Sequence, residues 1–79
     1  MDILYIGSSG RADPVKAALP FHIAVNGSVD RGDAPRIVLA GDATDLLVEN
    51  AIETLEPLGL PALRELVAKA IDHQIPVYV

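Results

Sequence analysis

Two short loops hold most of the residues in this chain that could touch a ligand. Gly7-Ser8-Ser9-Gly10 follows an apolar run, and its glycines, hydroxyls and backbone N–H groups could close around a small anion. Gly41-Asp42 follows a second apolar run and adds a carboxylate. Gly7, Ser8, Ser9, Gly10, Gly41 and Asp42 are therefore the candidate ligand residues. The first loop matches neither the dinucleotide fingerprint nor the phosphate-loop pattern with its lysine, so a plain strand-to-helix turn stands beside the anion reading and no cofactor is implied. Asp42 serves equally as a turn or cap residue. Asp42, Asp45 and Glu49 lie three and four residues apart and would share one side of a helix. A solvated acidic first turn accounts for them, and with no further oxygen or histidine ligand evident no metal is assigned. His22 falls at the edge of a buried helix face, and His73 in the last turn of another helix, where a cation suits the dipole. Ser8 or Ser9 as a nucleophile would need a base and an orienting group that the sequence does not nominate, so no catalytic residue is assigned. The chain contains no cysteine, which excludes disulfides, thiolate nucleophiles and cysteine-ligated metals.

The elements that must position these loops can be read from periodicity. Ile3 to Ile6 is a short run of strand formers, read as a strand buried on both faces. Asp13-Pro14 then supplies a cap and a proline at the first helical position. Val15, Ala18, His22, Val25 and Val29, with Ala17, Phe21 and Ala24 beside them, give the buried face of a helix that Gly32 ends. Pro20 lies inside it and predicts a kink or a broken first turn. Ile37-Val38-Leu39-Ala40 is the second strand. A helix capped by Thr44 comes next, with Leu47, Val48, Ala51, Ile52 and Leu55 as its stripe, and Pro57-Leu58-Gly59 stops it. Pro61 opens a third helix with Leu63, Leu66, Val67, Ala70 and Ile71 inward, and Glu65 and Lys69 paired outside. Val77-Tyr78-Val79 forms the last strand. The order βαβααβ predicts an α/β fold with a three-stranded parallel sheet in the order 2-1-3, the first half of a doubly wound sheet. Ligands in such sheets bind at the carboxyl ends of the strands, which is where both candidate loops fall.

Composition narrows the partners. The 79 residues make one domain with a thin core. A net charge of −5, with six basic residues scattered along the chain, argues against nucleic acid and anionic membranes. The apolar start is too short for a secretory signal, which gives a cytoplasmic reading. An apolar third strand at an open edge predicts a homo-oligomer formed through Val77, Tyr78 and Val79, or a chain that continues beyond them.

Taken together, Gly7 to Pro14, Leu19-Pro20-Phe21-His22-Ile23-Ala24, Ile37 to Thr44, and Gly59-Leu60-Pro61-Ala62-Leu63 with Ile75 to Val79 resemble the DsrE/DsrF-like family across nearly the whole chain. The resemblance implies a longer parallel sheet, usually of five strands, in cytoplasmic proteins that form small symmetric oligomers. It also implies, for some members, a relay of persulfide sulfur on a cysteine placed just after the strand that resembles Ile75 to Val79. The chain holds no such cysteine, so the expectation is a DsrE-like protein of sulfur-relay type that is inactive in sulfur transfer as it stands, incomplete at its carboxyl end. The alternative is a cysteine-free module that binds a small anion or serves in oligomeric assembly. The sequence leaves open whether the protein is an enzyme.

Overall fold

The structure, a computed structural model, describes residues 1–48 and 50–79. Strand β1 is Asp2–Gly7, helix α1 is Pro14–Ile23, β2 is Ala34–Leu39, helix α2 is Ala51–Thr54, helix α3 is Leu63–Asp72 and β3 is Val77–Tyr78. The three strands pair in parallel, Asp2↔Ala34 through Gly7↔Leu39 and then Ile37↔Val77 and Val38↔Tyr78. This is the expected α/β class with a parallel sheet.

The strand order differs from the expectation. It is β1-β2-β3, with β2 rather than β1 in the middle. The reason lies in the helices. Parallel crossovers are right-handed, so two crossovers that step the same way across a sheet leave their helices on one face, whereas the order 2-1-3 would divide them between both faces. Here α1 and α3 pack against each other. Small buried residues, Ala17, Ala18, Ala24 and Ala70, share one core cluster with Phe21, Leu63 and Leu66 and let the two helices sit side by side. With α3 beside α1, β3 can only land beyond β2.

One-sided winding also corrects the reading of β1 as a strand buried on both faces. Ile37 and Leu39 of β2 point into the helix layer and are fully covered, while Leu4 and Ile6 of β1 are 56% and 64% exposed. On that open face the register aligns Ile6, Val38 and Tyr78 in one row. The apolar run of β1 is genuine, but nothing among the described residues lies over half of it.

Helix α1 starts where capping predicts and then departs from the ideal. Asp13 accepts from the Lys16 N–H at 3.2 Å and Pro14 takes the first position of α1. Pro20 is tolerated within α1, buried where Gly7 leaves room for its ring. Of the two expected outcomes, a kink or a broken first turn, the first turn is intact, and an irregularity falls one turn later as a π-helical turn over Ala24–Ser28. That turn brings Ser28 inward to share a hydrogen bond with the Tyr5 hydroxyl. No buried side-chain polar atom among the described residues lacks a partner.

The expected second helix is replaced by two shorter pieces. Gly41–Leu47 forms 3₁₀ turns, in which positions three apart eclipse, so Ala43 and Leu46 go inside while Leu47 and Val48 stay half exposed. Thr44 donates to the Gly41 carbonyl at 2.9 Å within this turn instead of capping a helix. Asn50 adopts a left-handed conformation before α2. In α3, Leu63, Leu66 and Ala70 are buried, but Ile71 faces solvent and Pro61 precedes the cap residue Ala62. No helix among the described residues is long and apolar enough to cross a membrane.

Candidate functional site

β1 and β2 are neighbours and parallel, so the loops that leave their carboxyl ends must meet. Residues Ser9–Asp13 and Gly41–Val48 frame a cleft of about 540 Å³ between them. Gly10 is the contact point. A side-chain carbon there would overlap the Asp42 carbonyl and lie 2.9 Å from both Cβ and Oδ2 of Asp45, so only glycine lets the two loops approach this closely.

A charged clamp closes the approach. The Arg11 guanidinium donates from Nη2 to Asp45 Oδ1 at 2.7 Å and from Nε to Oδ2 at 2.9 Å, and the Arg11 backbone N–H donates to the same Oδ2 at 3.0 Å. Both side chains stay about one-third exposed, 37% for Arg11 and 34% for Asp45. Fork-to-fork geometry of this kind is the strong form of an ion pair. The side-chain and backbone hydrogen bonds from Arg11 hold the Asp45 carboxyl below its ordinary value of 3.8.

The sequence-derived ligand residues divide between two places. Ser9, Gly10, Gly41 and Asp42 line the cleft. Gly7 and Ser8 line a separate groove of about 280 Å³ beside β1, together with Ser9. The Gly7 carbonyl accepts from the Ala40 N–H at 2.9 Å and the Gly10 carbonyl from Asp13 N–H at 3.1 Å, so both glycines are engaged in the frame of the loops. The Arg11 N–H, a donor that a bound anion could use, is taken by Asp45. The loop thus already holds an anion, and that anion is its own carboxylate.

Arg11 and Asp45 are the pair at the centre of the cleft that sequence reasoning missed. Arg11 counted only as one of six scattered cations, and Asp45 only as part of an acidic turn. The available signal was the adjacency of β1 and β2, which brings their following loops together in either strand order. Of the acidic group Asp42, Asp45 and Glu49, Glu49 lies outside the described residues, and Asp45 is bound to Arg11. Among the described residues no three acidic or histidine side chains gather as a metal site. His22 is held by Asn26 at 3.2 Å, and Asn26 in turn accepts from Lys69 at 3.2 Å, which ties the end of α1 to α3. His73 is the exposed cap residue of α3. Neither histidine lines the cleft.

Among the described residues the cleft therefore has three carboxylates, Asp13, Asp42 and Asp45, against the Arg11 guanidinium, with the Lys16 ammonium 3.9 Å from Asp13, and hydroxyls from Ser9 and Thr44. Among the described residues it presents mainly hydrogen-bond acceptors and no nucleophile–base pair. Comparison of the chain with protein-family models, with curated proteins and with solved structures finds no match in any of the three, so the cleft is interpreted from its own chemistry.

Proposed function

We propose that this chain is a small-molecule-binding α/β module that holds a polar, neutral or cationic ligand at the carboxyl ends of β1 and β2 and performs no sulfur transfer with its own residues. The observation that carries the reading is the charge inventory of the cleft among the described residues: the Arg11 guanidinium is clamped by Asp45, Asp13 has Lys16 at 3.9 Å, and Asp42 has no ion-pair partner. A free phosphate or carboxylate would have to displace Asp45 and then meet Asp13 and Asp42. An ammonium or a hydroxylated ligand would find acceptors instead. Calorimetric titration with a panel of small amines, polyols and inorganic phosphate tests this. Binding of an amine or polyol, weakened about two- to fivefold for a cation by Asp42→Asn, the worth of one exposed charge pair, is the expected result. Phosphate binding with no response to amines or polyols would overturn it.

A second reading rests on the DsrE/DsrF-like resemblance, a cytoplasmic protein of sulfur-relay type whose thiol comes from outside residues 1–79. It is favoured by β3, whose parallel pairing with β2 points the chain after Tyr78 toward the same edge of the sheet as the cleft. Intact mass and thiol labelling of the product of the native gene decide it. A heavier product with a reactive cysteine just beyond Val79 supports the relay, and an unlabelled product of 8.3 kDa removes it.

A further inference from the structure

β1 is the terminal strand on its side of the sheet. Its ladder to β2 is bounded by the Ala34 N–H donating to the Met1 carbonyl at 2.8 Å and the Ala40 N–H donating to the Gly7 carbonyl at 2.9 Å. Alternation along the strand then turns the N–H and C=O groups of Leu4 and Ile6 away from β2, toward the free edge. Natural sheets blunt such edges with proline, lysine, a bulge or a very short strand. Asp2-Ile3-Leu4-Tyr5-Ile6-Gly7 has none of these, and its one charge, Asp2, stands at the very start of the strand. β3, the opposite edge, has two residues, and that shortness is itself a blunting device. Alongside β1 runs the 280 Å³ groove, walled by Tyr5 and Ile6 on the strand and by Lys16, Leu19, Pro20 and Ile23 on α1.

We propose that the occupant of this edge is a second copy of the chain, its β1 added antiparallel across a two-fold axis to give one six-stranded sheet. The distribution of charge selects a copy of itself. Asp2 stands at one end of the strand and Lys16 at the other end of the groove, where its ammonium lies 3.9 Å from Asp13 in an exposed pair and its side chain is 72% exposed, open to a second carboxylate. A two-fold axis reverses the incoming strand and delivers each Asp2 to the Ser8–Lys16 end of the other copy. The register that does this sets Tyr5 opposite Tyr5 and exchanges backbone hydrogen bonds between Leu4 and Ile6, and it keeps every side chain on its proper face. A register shifted by two residues would instead set Asp2 against Ile6. Stable interfaces bury on the order of 1,200–2,000 Å² in total. Six paired residues with the flanking Leu19 and Ile23 make a small contact by that standard, so the pairing is reversible. The interface lies on β1 and leaves β3 free, which differs from the expectation drawn from Val77, Tyr78 and Val79.

Sedimentation equilibrium of the intact chain, from about 1 µM to about 1 mM, spans the range over which such a contact dissociates. The expected result is a mass that rises from 8.3 kDa toward twice that value. Leu4→Pro deletes one outward N–H and leaves the β1–β2 ladder intact, and it should weaken association at least tenfold with an unchanged far-UV spectrum. Asp2→Lys should weaken it about threefold, and adding Lys16→Asp in the same chain should restore it, a rescue that loss of folding cannot imitate. Val38→Lys, on the open face of β2, should leave it unaltered. A monomer at every concentration overturns the proposal, as does a dimer that survives Leu4→Pro or is broken by Val38→Lys.

Discussion

Replacing Gly10 by alanine forces a methyl group into the Asp42 carbonyl and the Asp45 side chain. The loops must separate, which lengthens the Arg11–Asp45 bonds. The expected loss is about 1–3 kcal/mol in chemical denaturation, the usual penalty of overpacking, with the cleft residues shifting most in an amide NMR spectrum. Alanine at Gly41 meets no atom within 4 Å and is opposed only by its positive φ of 55°, so it should leave the clamp in place. The clamp also has a pH signature. Arg11 lowers the Asp45 carboxyl in the folded state, so its contribution to stability is full above the ordinary value of 3.8 and is lost as pH falls through the lower folded value. Asp45→Asn should therefore be destabilised at neutral pH and converge on the parent chain in strong acid, measured by denaturant unfolding at both. Loop positions were legible in the sequence, because a glycine pair after an apolar run marks the end of a strand. The Arg11–Asp45 bond, spanning 34 residues, was not, because single charges carry no periodicity.

At the scale of elements, the seam between α1 and α3 decides the topology. Ala18 is fully buried, and it belongs to the cluster that includes Ala17, Ala24, Leu66 and Ala70. Ala18→Leu should push the helices apart and lose about 1–3 kcal/mol, read as a lower midpoint in urea. Ile71→Ala, at an exposed position on α3, should change stability by less than about 0.5 kcal/mol. Asp13-Pro14 announced the start of α1, and the cap is formed as read. The stripe Leu47, Val48, Ala51, Ile52 and Leu55 misled, because a 3₁₀ turn with its period of three competes with the α-helical period of 3.6 over a segment too short to separate them. The π-turn at Ala24–Ser28 had no signal at all beyond Pro20 one turn earlier.

For the whole molecule, the α/β class and parallel pairing were legible from alternating strand and helix patterns. The strand order was not. Ile3 to Ile6 reads as an interior strand, and local sequence does not say which face the second crossover takes. That choice belongs to the contact between α1 and α3, which is made across about fifty residues of sequence and depends on small side chains fitting together. Its consequence is a sheet with helices on one side, an open apolar face and a free β1 edge, while the cleft sits where β1 and β2 end. The central place of β2 underlies the one-sided helix layer and the free β1 edge alike. Residue-resolved hydrogen exchange on the chain at low micromolar concentration, where the outer edge of β1 is free, checks that placement. The amides of Leu4 and Ile6 should exchange fast and those along Ile37 to Leu39 slowest, since β2 is bonded on both sides. Slow exchange at Leu4 and Ile6 in the monomer, with fast alternation in β2, would place β1 in the middle and contradict it.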